Sequence, residues 1–126
     1  MATVIEIPLY LEVGKKKPKK YWLNMNGYRN WHHHLNSDLK ILFKKSITIP
    51  KVKFNKVEIT YTLYFKNRTK RDGMNVCSVI SKFFLDSLVQ EGVLTDDDYT
   101  VVQSEQWVFG GMKDRDYCEV TIDEIA

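Results

Sequence analysis

Hydrophobic and polar positions change period several times along the chain. From Thr3 to Val13 apolar and polar residues alternate and Val, Ile, Leu and Tyr dominate, which predicts a first strand with Pro8 at an edge or a bulge. The stretch from Asn24 to Ser46 carries Trp31, Leu35, Leu39, Leu42 and Phe43 at three- and four-residue steps, which predicts a helix beginning near Asn26–Arg29. Ile47 to Lys56, with Pro50, reads as a connector. Val57 to Lys66 alternates cleanly: Val57, Ile59, Tyr61, Leu63 and Phe65 face one way, Glu58, Thr60, Thr62 and Tyr64 the other.

At about 100° per residue, Val76, Cys77, Val79, Ile80, Phe83, Phe84 and Leu88 share one arc, so Asn75 to Glu91 reads as a second helix stopped by Gly92. Asn75, Ser78, Lys82 and Asp86 form a narrow stripe opposite that arc. Tyr99 to Phe109 reads as a strand, Gly110-Gly111 as a turn, and Tyr117 to Ile125 as the last strand. The order is β-α-β-α-β-β. It predicts a single α+β domain over 1–126, with two helices packed on a mixed sheet.

Composition narrows the class. The chain has 126 residues, enough for one core. No apolar run approaches a membrane span, and the first residues lack the basic start and apolar core of a signal peptide, so a cytoplasmic protein is expected. Cys77 and Cys118 form no CxxC pair and are expected as buried free thiols. The Asn67-Arg68-Thr69 sequon is then a chance match. Net charge is only +3, yet residues 1–71 carry 16 Lys/Arg against 4 Asp/Glu, and residues 72–126 carry 3 against 12.

The basic half is suited to phosphates. Lys15, Lys16, Lys17, Lys19 and Lys20 crowd one loop that runs into Tyr21 and Trp22, a combination fit for a DNA backbone and for stacking on a base. Arg29, Arg68, Lys70 and Arg71 extend the set. Three consecutive histidines, His32 to His34, diverge by about 100° each on a helix and cannot converge on one metal. The acidic half places Asp72 before the second helix and Asp96, Asp97 and Asp98 after it. Carboxylates and an amide are the ligands of a hard divalent ion, and a lysine beside them would stabilise charge on a phosphate under attack. The alternative is that the aspartates form solvated turns and that Lys82 and Asp86 make a surface pair. No triad arrangement and no glycine-rich phosphate loop is present, so no nucleotide cofactor is expected.

The pattern Asp72-x-x-Asn75, then Lys82-x-x-x-Asp86, Gly92 and Asp96-Asp97 resembles the RusA family of Holliday junction resolvases. The opening of the first predicted helix, Leu23 to His32, resembles phage members of that family more weakly. The resemblance implies a small, often phage- or prophage-encoded endonuclease of DNA recombination and repair. Such an enzyme cuts four-way DNA junctions as a homodimer and depends on Mg²⁺, with Mn²⁺ as a substitute. It also implies Lys82 and Asn75 as catalytic residues, Asp72 and Asp97 as metal ligands, and Asp96 or Asp86 as further ligands. Two departures stand out. Met74 occupies the place of the family's second Asp, and about four more residues separate Asn75 from Lys82, one helical turn. Met cannot bind Mg²⁺. Either Asp86, Asp96 or Asp98 compensates, or the metal is held weakly, or the protein binds junctions without cutting them. A phage protein-interaction module is the remaining alternative.

Overall fold

The computed structural model describes residues 2–68 and 70–125, so Thr69 of the sequon lies outside the described residues. The elements run β1 (Ala2–Pro8), β2 (Tyr10–Val13), β3 (Lys19–Trp22), α1 (Met25–Asn30), α2 (His33–Ser46), β4 (Val57–Phe65), α3 (Gly73–Gln90), β5 (Val102–Met112) and β6 (Tyr117–Glu124). The α+β class holds, with a mixed four-stranded sheet ordered β1-β6-β4-β5 and a separate β2-β3 hairpin. β4 and β5 are parallel, and the other pairs are antiparallel.

The parallel pair follows from the helix between its strands. α3 spans 18 residues, about 27 Å of rise, and returns the chain to the end of the sheet where β4 began. Val57 therefore pairs with Val102, at the far end from Phe65. The apolar arc read from the sequence faces inward as expected: Val76, Cys77, Val79, Ile80, Phe83, Phe84 and Leu88 are all buried. They meet the inward row of β4, Val57, Ile59, Tyr61, Leu63 and Phe65, and Cys118, Val120 and Ile122 of β6.

Three expectations need correction. The first predicted strand is two strands in two sheets: the chain bends at Leu9, with β1 on β6 and β2 on β3. β1 is an end strand of its sheet, as Pro8 required. The first predicted helix is also two. The chain breaks at Trp31-His32, where the His32 imidazole accepts a hydrogen bond from the Leu35 N–H at 3.1 Å and caps α2. Gly110-Gly111, finally, is no turn. Leu63 pairs with Phe109 and Tyr64 with Gly111, so Gly110 is the extra residue of a bulge, and Gly111 takes a φ of +126°. Lys19 and Lys20 lie in β3 and not in a loop.

Both cysteines are free and buried. Burial pushes the Cys77 thiol up to about 12 and the Cys118 thiol higher still, so neither is a nucleophile at neutral pH. Among the described residues no helix is long and apolar enough to cross a membrane.

Candidate functional site

The N-terminal end of α3 gathers several of the residues that the sequence pattern marks. Asp72 is the N-cap of α3, its carboxylate accepting from the Met74 N–H at 3.0 Å. One turn on, the Asn75 side-chain carbonyl accepts from the Met25 N–H at 2.9 Å and ties α3 to the first residue of α1. Asn24 caps α1 in turn, accepting from the Gly27 N–H at 2.8 Å. A cleft of about 140 Å³ lies there, lined by Trp22, Asn24, Arg71, Asp72, Asn75 and neighbours from the core. The foot of the lysine hairpin, the basic turn after β4 and the head of α3 thus share one depression.

Cations line its approaches. Lys15, Lys16, Lys17, Lys19 and Lys20 are all exposed on the β2-β3 hairpin. The Lys20 ammonium sits 4.4 Å from the Tyr10 ring centroid, and Lys19 is 5.2 Å from that of Tyr21. Arg68 and Lys70 are exposed, while the Arg71 guanidinium lies 4.5 Å from the Phe65 ring centroid. Arg29 is exposed in the last turn of α1.

Lys82 continues the line. It reaches back to α1, with its ammonium 5.4 Å from the Tyr28 ring centroid. Hydrogen bonding from Lys82 holds the Tyr28 phenol below its ordinary pKa. Tyr28 escaped sequence reasoning, because its partner lies on another helix and no spacing reveals it.

The remaining acids are elsewhere. Asp86 pairs with Lys40 of α2 at 3.7 Å. The Asp96 carboxylate accepts from the Asp97 N–H at 2.7 Å. Partial burial raises the Asp97 carboxyl, and the negative charges of Asp96 and Asp86 add to it. Asp98 accepts from the Thr100 N–H at 2.9 Å and from its hydroxyl, bonds that hold its carboxyl low and close the turn into β5.

Asp72 and Asp86 are separated by about 21 Å of helix rise. Asp97 lies at the Asp86 end, beside the start of β5, whereas Asp72 follows the end of β4. The expected ligand set Asp72, Asp86, Asp96 and Asp97 therefore does not converge within one chain. Among the described residues no group of three or more His, Cys, Asp or Glu could hold a metal ion. The physical reason is the length of α3: a straight helix between two acidic clusters holds them apart by its own rise. The donors of one chain do not fit Mg²⁺. His32 is used as a helix cap, in keeping with the reading that the histidine run is no metal site.

Another acid, Glu105 of β5, carries no motif in the sequence. It accepts from the buried Tyr61 hydroxyl at 2.6 Å and from the Ser81 hydroxyl at 2.5 Å. Burial, then the Glu105 charge, push the Tyr61 phenol well above its ordinary range. Its only sequence signal is a lone charge within an otherwise uncharged strand.

No protein-family model matches the chain, and no curated protein is significantly similar to it.

The Asn75 tie yields a direct expectation. Asn75→Ala leaves the Met25 N–H without its acceptor and lowers stability by about 1–3 kcal/mol, whereas Asn75→Asp keeps an acceptor and most of that stability. Urea unfolding of the two variants separates them. Equal stability of Asn75→Ala and wild type would show that the tie contributes nothing to the fold.

Proposed function

We propose that this protein binds branched DNA, with four-way junctions as its preferred substrate. The observation that carries the reading is the shared cleft at the head of α3, where Trp22 of the lysine hairpin meets Arg71, Asp72 and Asn75. Exposed lysines track phosphates by replacing condensed counterions, and an aromatic at the foot of the hairpin offers a stacking surface for an unpaired base at a branch point. The preference for a junction over a plain duplex rests on the resemblance of Asp72, Asn75, Lys82 and Asp97 to the RusA motif.

A cleaving enzyme of RusA type is the second reading. It is favoured by Asp72, Asn75 and Lys82, which run down α3 from the cleft, the latter two each engaging α1. One chain lacks the carboxylate set for Mg²⁺, so no metal-dependent step is assigned to it.

Binding of a labelled four-way junction and of a matched duplex, titrated across salt, tests the first reading. The junction is expected to bind more tightly. Replacing Lys15, Lys16, Lys17, Lys19 and Lys20 by Ala is expected to flatten the log–log salt slope by roughly one for each phosphate left without its lysine. Equal binding of junction and duplex removes the structural selectivity, and no binding at low salt removes DNA altogether. Product analysis of the same mixtures with Mg²⁺ or Mn²⁺ decides the second reading.

A further inference from the structure

β5 is an end strand whose outer edge meets no other strand among the described residues. At 11 residues it is the longest strand, and it lacks the usual protections of an edge: it contains no proline and no lysine. Its single charge, Glu105, is already engaged by Tyr61 and Ser81. Its large side chains are left open. Phe109 is 60% exposed, Met112 46%, Val108 41% and Trp107 38%, and Met74, on the adjoining turn of α3, is 59% exposed. Hydrophobic exposure on both faces of an unpaired edge marks a surface that is covered in the working protein.

We propose that this edge is the seam of a homodimer, with β5 pairing antiparallel to β5 of a second copy about a twofold axis near Trp107. Three features select a second copy over another partner. A twofold perpendicular to the sheet keeps every residue on its own face, so residues of the same parity pair. Centring on Trp107, the midpoint of the strand, sets Gln106 opposite Val108 of the second copy and Glu105 opposite its Phe109. The helix-side row Glu105, Trp107, Phe109 then meets its own reverse, and Met74 packs over it.

The second feature is charge. Asp96–Asp98 precede β5 at one end, and the basic turn bearing Arg68, Lys70 and Arg71 lies beside Phe109 and Met112 at the other. Antiparallel pairing lays the acidic turn of each copy against the basic turn of its mate. The third is a consequence of the second. Asp72 and Asp97, which α3 holds apart within one chain, approach each other across the seam.

Light scattering on the full chain at tens of micromolar is expected to give twice the 14.9 kDa chain mass. Single-cysteine variants then read the register. Directly opposed strand residues have Cα separations of about 4.5–5.5 Å, within disulfide range. Gln106→Cys mixed with Val108→Cys is expected to cross-link under mild oxidation, whereas either variant alone does so at least several-fold less. Val4→Cys on β1, the other end strand, is expected not to cross-link. Phe109→Lys is expected to give a monomer with an unchanged circular dichroism spectrum. Should that variant misfold, the cysteine pair still decides the matter. A monomeric wild type, a cross-link through Val4→Cys, or cross-linking of each variant alone as strong as in the mixture overturns the proposal. The inference does not rest on DNA binding: a dimer with this seam that ignores DNA overturns the proposed function alone.

Discussion

Phe83→Ala is expected to lower the stability of the fold by about 3–5 kcal/mol, a large share of what holds a domain of this size together. Phe83 is 1% exposed and sits at the meeting point of three helices. From α3 its ring touches Tyr28 of α1 and Phe43 of α2, with centroids 6.4 and 5.6 Å apart, and Trp31 in the break between those helices at 6.3 Å. The Lys40 ammonium lies 5.9 Å from its centroid. Edge-to-face packing of this kind adds to simple burial, and α1 is too short at six residues to be stable without such support. Truncation leaves a cavity that cannot collapse, because its walls belong to three separate elements. Phe83→Leu retains most of the volume and is expected to cost about half as much or less. Urea unfolding, read at the midpoint with an unchanged slope, gives both values. A cost for Phe83→Ala below about 1 kcal/mol would mean that the three helices are not joined through this ring.

The core of this fold was largely legible because it rests on unbroken periodicity. The inward arc of α3 and the alternating row of β4 contain no exceptions, and every residue assigned to them is buried. Legibility fails where periodicity runs through a corner. Ile5, Ile7, Leu9 and Leu11 keep a two-residue period and are all buried, although the chain changes sheets at Leu9. The apolar steps from Trp31 to Phe43 likewise pass over the helix break, which a histidine creates by capping, a residue rarely read as a helix signal. The glycine pair could signal a turn or a bulge, and only the register of β4 against β5 decides between them.

The candidate site was legible by half, for a related reason. Arg71, Asp72 and Asn75 are neighbours in sequence, so their proximity at the head of α3 is nearly guaranteed. Asp72 and Asp97 are joined by a helix, and a helix converts sequence separation into distance. Bringing them together therefore requires a second chain or a different path for the helix.

The last expectation joins the packing of the monomer to its open edge. A methyl group built on Gly73 would stand 2.5 Å from two atoms of the Trp107 ring, closer than side chains ever approach. Gly73 is buried in the first turn of α3, where a glycine-to-alanine change gains little helix propensity. Steric conflict decides the outcome, and Gly73→Ala is expected to cost about 1–3 kcal/mol as Trp107 is driven from its place over the helix. Trp107→Ala alone loses packing but leaves room for the methyl. The double variant is therefore expected to be less unstable than the sum of the two singles, by about 0.5–3 kcal/mol in a double-mutant cycle. Additive losses would show that the indole does not cover Gly73. The same displacement disturbs the midpoint of β5, so Gly73→Ala is expected to weaken self-association, while Gly92→Ala, at a positive φ of +76° with nothing nearby, costs some stability and leaves association unchanged. Because the two glycines report on strain in different places, unfolding midpoint and oligomeric mass measured on the same samples separate loss of fold from loss of the seam.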